Sequence, residues 1–294
     1  MQWKRVSLIG VGLLGGSLGM ALKQRRLARE VIGYVRRESA VAECLQAGAV
    51  DEATLDLARA VAGADLVVLC TPLGQMPALA RAMAAALKRG AVVTDVGSVK
   101  AGVVRALEPV IARAGAFFVG SHPMAGNERS GVRAAHPDLF EGAVSVVTPT
   151  ARTAPKALRQ VRRLWRGVGC RLLELSPEEH DRLVSRSSHL PHVTAAALAA
   201  LVLGPGRPPH QAALCATGFR DTTRVASGSP EMWRDIALAN RRHLDRALQE
   251  LVRHLEGVRT WLARGDGDAL LKFFQMAKAR RDAWCAGNAS PSSE

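Results

Sequence analysis

The stretch RVSLIGVGLLGGSLGMALKQR, residues 5–25, is the most informative part of the sequence about the fold class. It reads as a short apolar strand, a glycine-rich turn and a helix, and its glycines have the spacing G-x-G-x-x-G. Gly10 permits the tight turn, Gly12 lets a phosphate approach the main chain, and Gly15 lets the helix pack closely on the strand. Because a second strand follows at residues 31–35, the stretch predicts the first strand–helix–strand unit of a dinucleotide-binding fold.

The second strand ends where an NAD site carries an acidic residue that binds the adenosine ribose. Val35 stands in that place, and Arg36, Arg37 and Ser39 follow it. Two guanidinium groups and a hydroxyl suit a phosphate dianion, so this segment predicts NADP as the cofactor, with NAD as the alternative. The other interpretation is that both arginines are merely exposed at the start of a helix near Ser39.

Strands and amphipathic helices continue to alternate as far as Ser176. The alternation predicts an α/β domain of the Rossmann type with a doubly wound parallel sheet. Further strands are predicted at residues 64–70, 91–96, 116–120, 143–149 and 170–176, and further helices at 75–87, 101–114 and within 148–169.

Ligands of such sheets bind beyond the carboxyl ends of the strands. The loops expected there read TPLGQ, GSVKAG and SHPMAGNERSG. Ser98, Lys100 and His122 are therefore predicted to face the nicotinamide end of the cofactor. The alternatives are a helix N-cap, a surface cation and a loop histidine, respectively. The remaining cofactor contacts are expected from Gly10, Gly12, Leu13, Leu14, Gly15, Thr71 and Pro72.

Beyond Ser176 the sequence predicts helices almost throughout. Ser176, Pro177 and Glu179 form a plausible N-terminal cap for a long helix, residues 177–202, and Pro191 should bend that helix or break its hydrogen bonding.

Two pairs of side chains in this half have the spacing of a binding face. His189 and His192 lie three residues apart on one helix face, and no third ligand of matching spacing stands nearby, which argues against a metal site. Arg220 and Arg224 lie four residues apart and are suited to bind a dicarboxylate.

The composition limits the class of protein. Lys and Arg outnumber Asp and Glu by 40 − 26 = 14, but the basic residues are dispersed, so we expect neither a nucleic-acid partner nor a membrane partner. The five cysteines form no Cys-x-x-Cys pair, which argues against a disulfide framework and indicates the cytoplasm. The apolar run near the N-terminus is interrupted by glycines and is not expected to be a targeting segment.

Several motifs together are similar to those of a known family. GVGLLGGSLGMAL, DVGSVK, GSHPMAG, SHLPH, GFRDTTR and PEMWRDI, in this order, resemble the prephenate/arogenate dehydrogenases, over roughly residues 5–285. The resemblance implies a Rossmann domain at 1–176, an all-α dimerisation domain at 177–286 that forms a homodimer, and a disordered tail at 287–294. It also implies oxidative decarboxylation of a cyclohexadienol, prephenate or arogenate, with hydride transfer to NADP or NAD.

The resemblance also implies roles for individual residues. His122 would accept the proton of the substrate's 4-hydroxyl, and Ser98 would help to hold that hydroxyl and the histidine. Arg224 would bind a substrate carboxylate, and His189 and His192 would line the same pocket. Arg220 is either a second substrate cation or an outward-facing residue. His192 is in addition a candidate for distinguishing the keto group of prephenate from the amino group of arogenate.

Two other functions remain as alternatives. One is another two-domain dehydrogenase, of the 3-hydroxyacid or imine-reductase kind. The other is a non-catalytic protein that binds nucleotides or nucleic acid through its positive charge. Feedback through an appended tyrosine-binding domain is not expected.

Overall fold

The computed structural model describes residues 2–126, 128–208 and 210–288. Six parallel strands form the main sheet, in the order β3-β2-β1-β4-β5-β6. Their bounds are β1 Trp3–Ile9, β2 Ala28–Tyr34, β3 Glu52–Thr54, β4 Leu66–Leu69, β5 Val92–Asp95 and β6 Phe117–Phe118. The helices that follow these strands are α1 Leu13–Gln24, α2 Glu38–Gln46, α3 Leu57–Val61, α4 Met76–Met83 and α5 Ala101–Arg113.

Both faces of this sheet are covered, as the near-continuous apolar strands predict. Successive residues of a strand point to opposite faces, and the buried side chains accordingly fall into two clusters. Leu66 and Val68 pack with Trp165 in one cluster, whereas Val67 and Leu69 pack in the other. The predicted Rossmann-type sheet is confirmed.

The strand predicted at residues 116–120 is wrong in its extent, because the chain leaves the main sheet after β6. A second sheet of three strands begins two residues later, with β7 Gly120–Pro123 antiparallel to β8 Val144–Thr148, and β8 parallel to β9 Arg171–Glu174. Helix α6, Pro155–Gly167, connects β8 to β9.

Polar side chains of β5 explain the break. The Thr94 hydroxyl donates to the Val119 carbonyl (2.7 Å), and the Asp95 carboxylate accepts from the Ser121 main-chain N–H (3.1 Å). These two bonds hold residues 119–121, through which the chain passes from the main sheet to the second sheet. His122 therefore lies in a strand, and not in the predicted loop.

The remaining elements are helical. They are α7 Pro177–Val184, a π-helical turn Ser185–His189, α8 Leu190–Leu203, α9 Thr217–Thr223, α10 Pro230–Ala239, α11 Arg241–Arg264 and α12 Gly267–Asn288. Ser176 caps α7 as predicted, since its hydroxyl accepts from the Glu179 N–H. The single long helix predicted at 177–202 is interrupted, because Pro191 has no N–H to donate and the turn before it widens.

Two compact units divide the chain, Met1–Leu244 and Asp245–Glu294. The first extends beyond residue 176, where the sequence predicts a domain boundary. The second contains most of α11 and all of α12, and it exposes large apolar side chains on both helices. Of the tail predicted at 287–294, residues 287 and 288 belong to α12 and the others lie outside the described residues. None of the described helices combines the length and the apolar character that a membrane span requires.

Candidate active site

The glycine turn lies between β1 and α1 and has the geometry that its sequence predicts. Gly10 has a φ of +97°, and a Cβ on Gly15 would lie 2.0 Å from the Gly10 carbonyl oxygen, so both positions require glycine. A Cβ on Gly12 would meet nothing within 4 Å, which leaves open space in front of its main chain. Leu13 and Leu14 begin α1, whose N-terminus has no side-chain cap. Free amides beside open space are suited to bind a phosphate group.

The loop after β4 completes this edge of the sheet. The Thr71 hydroxyl is buried and has no hydrogen-bond partner in the described residues. A buried polar group of this kind is available to hydrogen-bond with a ligand. Pro72 is exposed and precedes a short 3₁₀ turn. These residues fit a dinucleotide.

The arginine segment lies next to the same turn. The Gly10 N–H donates to the carbonyl oxygen of Tyr34, the last residue of β2. Val35 is buried, whereas the guanidinium groups of Arg36 and Arg37 are exposed and have no partner among the described residues. Ser39 is exposed in the first turn of α2. Two unpaired cations and a hydroxyl therefore stand together at the carboxyl edge of the sheet.

His122 is held in a chain of buried hydrogen bonds. Its Nδ1 lies 2.9 Å from Nε2 of His180, and Nδ1 of His180 lies 2.8 Å from Oδ1 of Asp181. The Asp181 carboxylate also accepts from the main-chain N–H groups of Lys100 (2.7 Å) and Ala101 (2.9 Å) at the start of α5. Helix α7 is thereby fastened to the loop that follows β5.

Burial favours the uncharged form of both His122 and His180. It lowers the pKa of His122 well below its usual value, and the neighbouring His180, Lys100 and His189 lower it further. Burial also lowers the pKa of His180, although the Asp181 carboxylate opposes the effect. A neutral imidazole at pH 7 can accept a proton.

Lys100 does not take either of the predicted positions. Its side chain is fully buried, so it is no surface cation, and its ammonium donates to Oδ2 of Asp95 and to the Ser121 carbonyl (2.9 Å). Lys100 therefore joins the end of β5 to β7. Asp95 also accepts from the Gly97 N–H (2.9 Å), so the loop is fixed at both ends.

Ser98 is half-buried in the same loop, and its hydroxyl forms no hydrogen bond with His122 in the described residues. It does not cap α5 either, because the amides at that helix start are satisfied by Asp181 from α7. The N-cap alternative for Ser98 is wrong, since a distant carboxylate takes the place of a local hydroxyl.

The two histidines of the SHLPH motif share an aromatic neighbour. His192 stacks on Trp233 with ring centroids 3.7 Å apart, and its Nδ1 lies 2.9 Å from the Ser188 carbonyl. His189 is fully buried, with its ring edge toward the same tryptophan and its Nδ1 3.1 Å from Nδ2 of Asn240. Burial lowers the pKa of His189 to about 4, and Nε2 has no well-formed hydrogen bond in the described residues.

The two arginines of the GFRDTTR motif differ. The Arg224 guanidinium lies 2.8 Å from Glu128. Burial lowers the pKa of His192, and the Arg224 charge lowers it further. Arg220 is exposed and has no ion-pair partner among the described residues. The structure therefore brings Arg224 near His192, and it does not bring Arg220 into that group.

Sequence reasoning missed several polar residues around the site. Asn240 donates to the Asp181 carbonyl (2.8 Å), and Glu128 pairs with Arg224. The adjacent His180 and Asp181 within a predicted helix were the available signal, because an imidazole beside a carboxylate can form a hydrogen-bonded pair. The described residues contain no cluster of His, Cys, Asp and Glu side chains able to hold a metal ion.

Two family models match the chain. The model described as "Prephenate dehydrogenase, nucleotide-binding domain" matches residues 18–174, and the model described as "Prephenate dehydrogenase, dimerization domain" matches residues 176–276.

Individual proteins are similar over almost the whole chain. The prephenate dehydrogenase of Bacillus subtilis strain 168 is 37% identical over 280 residues, which is 94% of this chain and 75% of that protein. The cyclohexadienyl dehydrogenase of Zymomonas mobilis is 35% identical over 281 residues, 95% of either chain. The crystal structure of a prephenate dehydrogenase from A. aeolicus, in complex with hydroxyphenyl propionate and NAD⁺, has a TM-score of 0.89 at 32% identity and covers 95% of this chain and 98% of that one.

Proposed function

The chain belongs to the prephenate dehydrogenase family and is an NAD(P)-dependent dehydrogenase of tyrosine biosynthesis, and we propose that NADP⁺ is its oxidant and His122 its base. The reaction is the oxidative decarboxylation of prephenate or arogenate. A buried, uncharged imidazole at the carboxyl edge of a nucleotide-binding sheet carries the assignment of the base. The comparisons support neither a 3-hydroxyacid dehydrogenase nor a nucleic-acid-binding protein.

The cofactor is proposed to bind along the carboxyl edge of the main sheet. Its pyrophosphate would lie on the Gly10–Gly15 turn and the first amides of α1, with Thr71 and Pro72 beside it. Arg36, Arg37 and Ser39 would hold a 2′-phosphate. Their freedom from other partners supports NADP, whereas the A. aeolicus relative was crystallised with NAD⁺. When bound, the nicotinamide supplies a hydride acceptor.

His122 would hold the 4-hydroxyl proton while the ring carbon loses its hydride. The ring carboxylate then leaves as CO₂, and the electron pair of the broken carbon–carbon bond completes the aromatic ring. The proton returns from His122 to the phenol oxygen, so no proton is released overall. Ser98, in the loop after β5, is proposed to orient the hydroxyl. The protein's contribution is orientation and control of this one proton.

The substrate carboxylates need cationic and hydrogen-bonding partners. Arg224 is proposed to bind one of them in place of Glu128, because a guanidinium pairs with any carboxylate in the same fork-shaped way. His189 and His192 would line the pocket, and the contact of both rings with Trp233 supports this role. Arg220 is proposed only as a second, outer cation.

The helical part is proposed to be residues 177–286 and to form a homodimer, while residues 1–176 form the cofactor domain. The match to a dimerization domain at 176–276 and the exposed Leu262, Leu271 and Phe274 support this division of roles. A cytoplasmic location is proposed because all five cysteines are free thiols.

The experiment that tests the function is steady-state turnover of prephenate and arogenate, each with NAD⁺ and NADP⁺, followed at the absorbance of the reduced nicotinamide. We expect turnover mainly with NADP⁺. The ratio of the two kcat/KM values identifies the preferred substrate. Absence of turnover in all four combinations would contradict the proposal.

Replacing both Arg36 and Arg37 with glutamine should raise the KM for NADP⁺ by about 10–100-fold, because two charge-assisted bonds to the 2′-phosphate are lost. The KM for NAD⁺, which has no 2′-phosphate, should change by less than about 3-fold. The control is Arg29→Gln near the opposite end of β2. Equal effects on both cofactors would place these arginines outside the phosphate site.

Replacing Arg224 with glutamine should raise the substrate KM by about 10²-fold and lower kcat much less, because a charged hydrogen bond to a carboxylate contributes about 1.5–3 kcal/mol. The matched control is Arg59→Gln, since Arg59 also forms an exposed ion pair, with Glu52. Arg220→Gln, assayed in parallel, tests the second cation. An unchanged KM in Arg224→Gln would exclude this arginine from the substrate site.

A further inference from the structure

We propose that His180 and Asp181 are positioning residues that fix the protonation pattern of His122, leaving its Nε2 free to receive the substrate proton. The inference rests on the proposed role of His122 as the base. It concerns two residues to which neither the motif pattern nor the comparisons give a role.

The direction of the hydrogen bonds begins at Asp181. Its two carboxylate oxygens accept from the main-chain N–H groups of Lys100 and Ala101, which can only donate. These amides belong to the start of α5, where the helix dipole favours negative charge. Asp181 is therefore the acceptor at this end of the chain, and Nδ1 of His180, 2.8 Å from its Oδ1, must carry a proton.

The same reasoning extends to His122. A neutral His180 that is protonated on Nδ1 has a lone pair on Nε2. Nδ1 of His122, 2.9 Å away, must then donate to it, and Nε2 of His122 is left with the lone pair. The reverse pattern would place the lone pair of His180 Nδ1 against the carboxylate, so two acceptors would face each other at 2.8 Å.

The surrounding contacts hold this pattern rigidly. His180 is fully buried and Asp181 is 3% exposed. Asn240 donates to the Asp181 carbonyl (2.8 Å), and Lys100 donates to the carbonyl next to His122 in β7. The Asp181 end and the His122 end of this series of hydrogen bonds are thus each held by a residue from another element. A rotation of either imidazole would leave a buried donor or acceptor unsatisfied, at a cost of about 1–3 kcal/mol.

His180 and Asp181 also reduce the cost of placing a proton on the buried His122. A proton on His122 is unfavourable because the ring is out of water and Lys100 is close. Through His180, the positive charge that develops during hydride transfer interacts with the Asp181 carboxylate. Two substitutions separate the two contributions. Glutamine at position 180 still offers His122 an acceptor but cannot also reach Asp181, whereas leucine offers neither.

The first test reads the protonation pattern directly and needs no turnover. In the full-length protein with ¹⁵N-labelled histidine, long-range ¹H–¹⁵N spectra distinguish a proton on Nδ1 from one on Nε2, and His122→Gln assigns the signal. We expect His122 to carry the proton on Nδ1 in the wild type and in His180→Gln, and to lose this pattern in His180→Leu. A wild-type proton on Nε2 would overturn the proposal.

The second test uses kinetics. We expect kcat to fall about 10-fold in His180→Gln and about 10²-fold in His180→Leu, within the ~10²–10⁴-fold range of general-base catalysis, while the substrate KM changes less than about 3-fold. The deuterium isotope effect with substrate labelled at the ring carbon should rise, because the chemical step becomes slower. A rise in KM alone, or an unchanged kcat, would overturn the proposal that His180 and Asp181 position His122. Failure of wild-type turnover would instead refute the proposed function, and the spectra would still decide the hydrogen-bond pattern.

Discussion

Replacing His122 with glutamine is expected to lower kcat/KM by about 10³-fold, because general-base catalysis contributes ~10²–10⁴-fold and glutamine cannot take up a proton. The KM for the cofactor should remain within about 3-fold, since the nucleotide cradle is formed by other elements. Steady-state assays with the substrate varied at saturating NADP⁺ measure kcat/KM, and assays with NADP⁺ varied at saturating substrate measure the KM for the cofactor. The effect should fall on kcat, as expected for an interaction made in the transition state.

The pH profile of the wild type makes the same assignment in a second way. An ordinary histidine base has a pKa near 6.5, and its activity falls as pH decreases through that value. Burial and nearby positive charges hold the pKa of His122 well below 6.5, so the unprotonated form persists at lower pH. We expect log kcat/KM to remain level from pH 7.5 through pH 6.5 and to fall only in more acidic buffer.

The matched control is His136→Gln, because His136 is exposed and its side chain has no partner among the described residues. It should leave kcat/KM unchanged. If His122→Gln retained more than about a tenth of wild-type activity, a general base could not be located at this residue. Comparable thermal unfolding of both variants would show that the loss is chemical.

Local patterns explain which parts of the fold were predictable. The Gly10–Gly15 spacing determines β1 and α1, since each glycine acts within a few residues of its own position. Likewise, Ser176 caps the helix that it precedes. The departure of the chain from the main sheet after β6 was not predictable, because it depends on Thr94 and Asp95, which lie more than twenty residues earlier in the sequence.

The site follows the same rule. Motifs indicated His122 and Arg224 one residue at a time, and the structure gives each of them a neighbour that no motif contains. His180 lies 58 residues beyond His122 in the chain. No sequence periodicity relates two positions so far apart. They come together because α7 packs against α5. The position of Lys100 was misjudged for a related reason, because a lysine is rarely buried without a partner and its partner Asp95 reads as an ordinary strand end.

Replacing Lys100 with methionine is expected to lower the free energy of unfolding by about 3–5 kcal/mol, because the buried Asp95 carboxylate would lose its counter-ion. Both side chains are fully buried. With domain stabilities of about 5–15 kcal/mol, this is a large fraction of the total. Chemical denaturation followed by circular dichroism measures the change. Activity should fall as well, since Lys100 also holds the Ser121 carbonyl beside His122.

A matched control lies on the surface, where Lys88 pairs with Asp65 at 2.5 Å and is about half exposed. Lys88→Met should cost no more than about 1 kcal/mol, since water screens an exposed pair. Adding Asp95→Asn to Lys100→Met should restore part of the lost stability, because the amide carries no charge and can still accept one of the bonds from Gly97 and Ser121. If Lys100→Met cost no more than Lys88→Met, the two sheets would be held by their remaining hydrogen bonds and apolar contacts, and the buried pair would have only a positioning role.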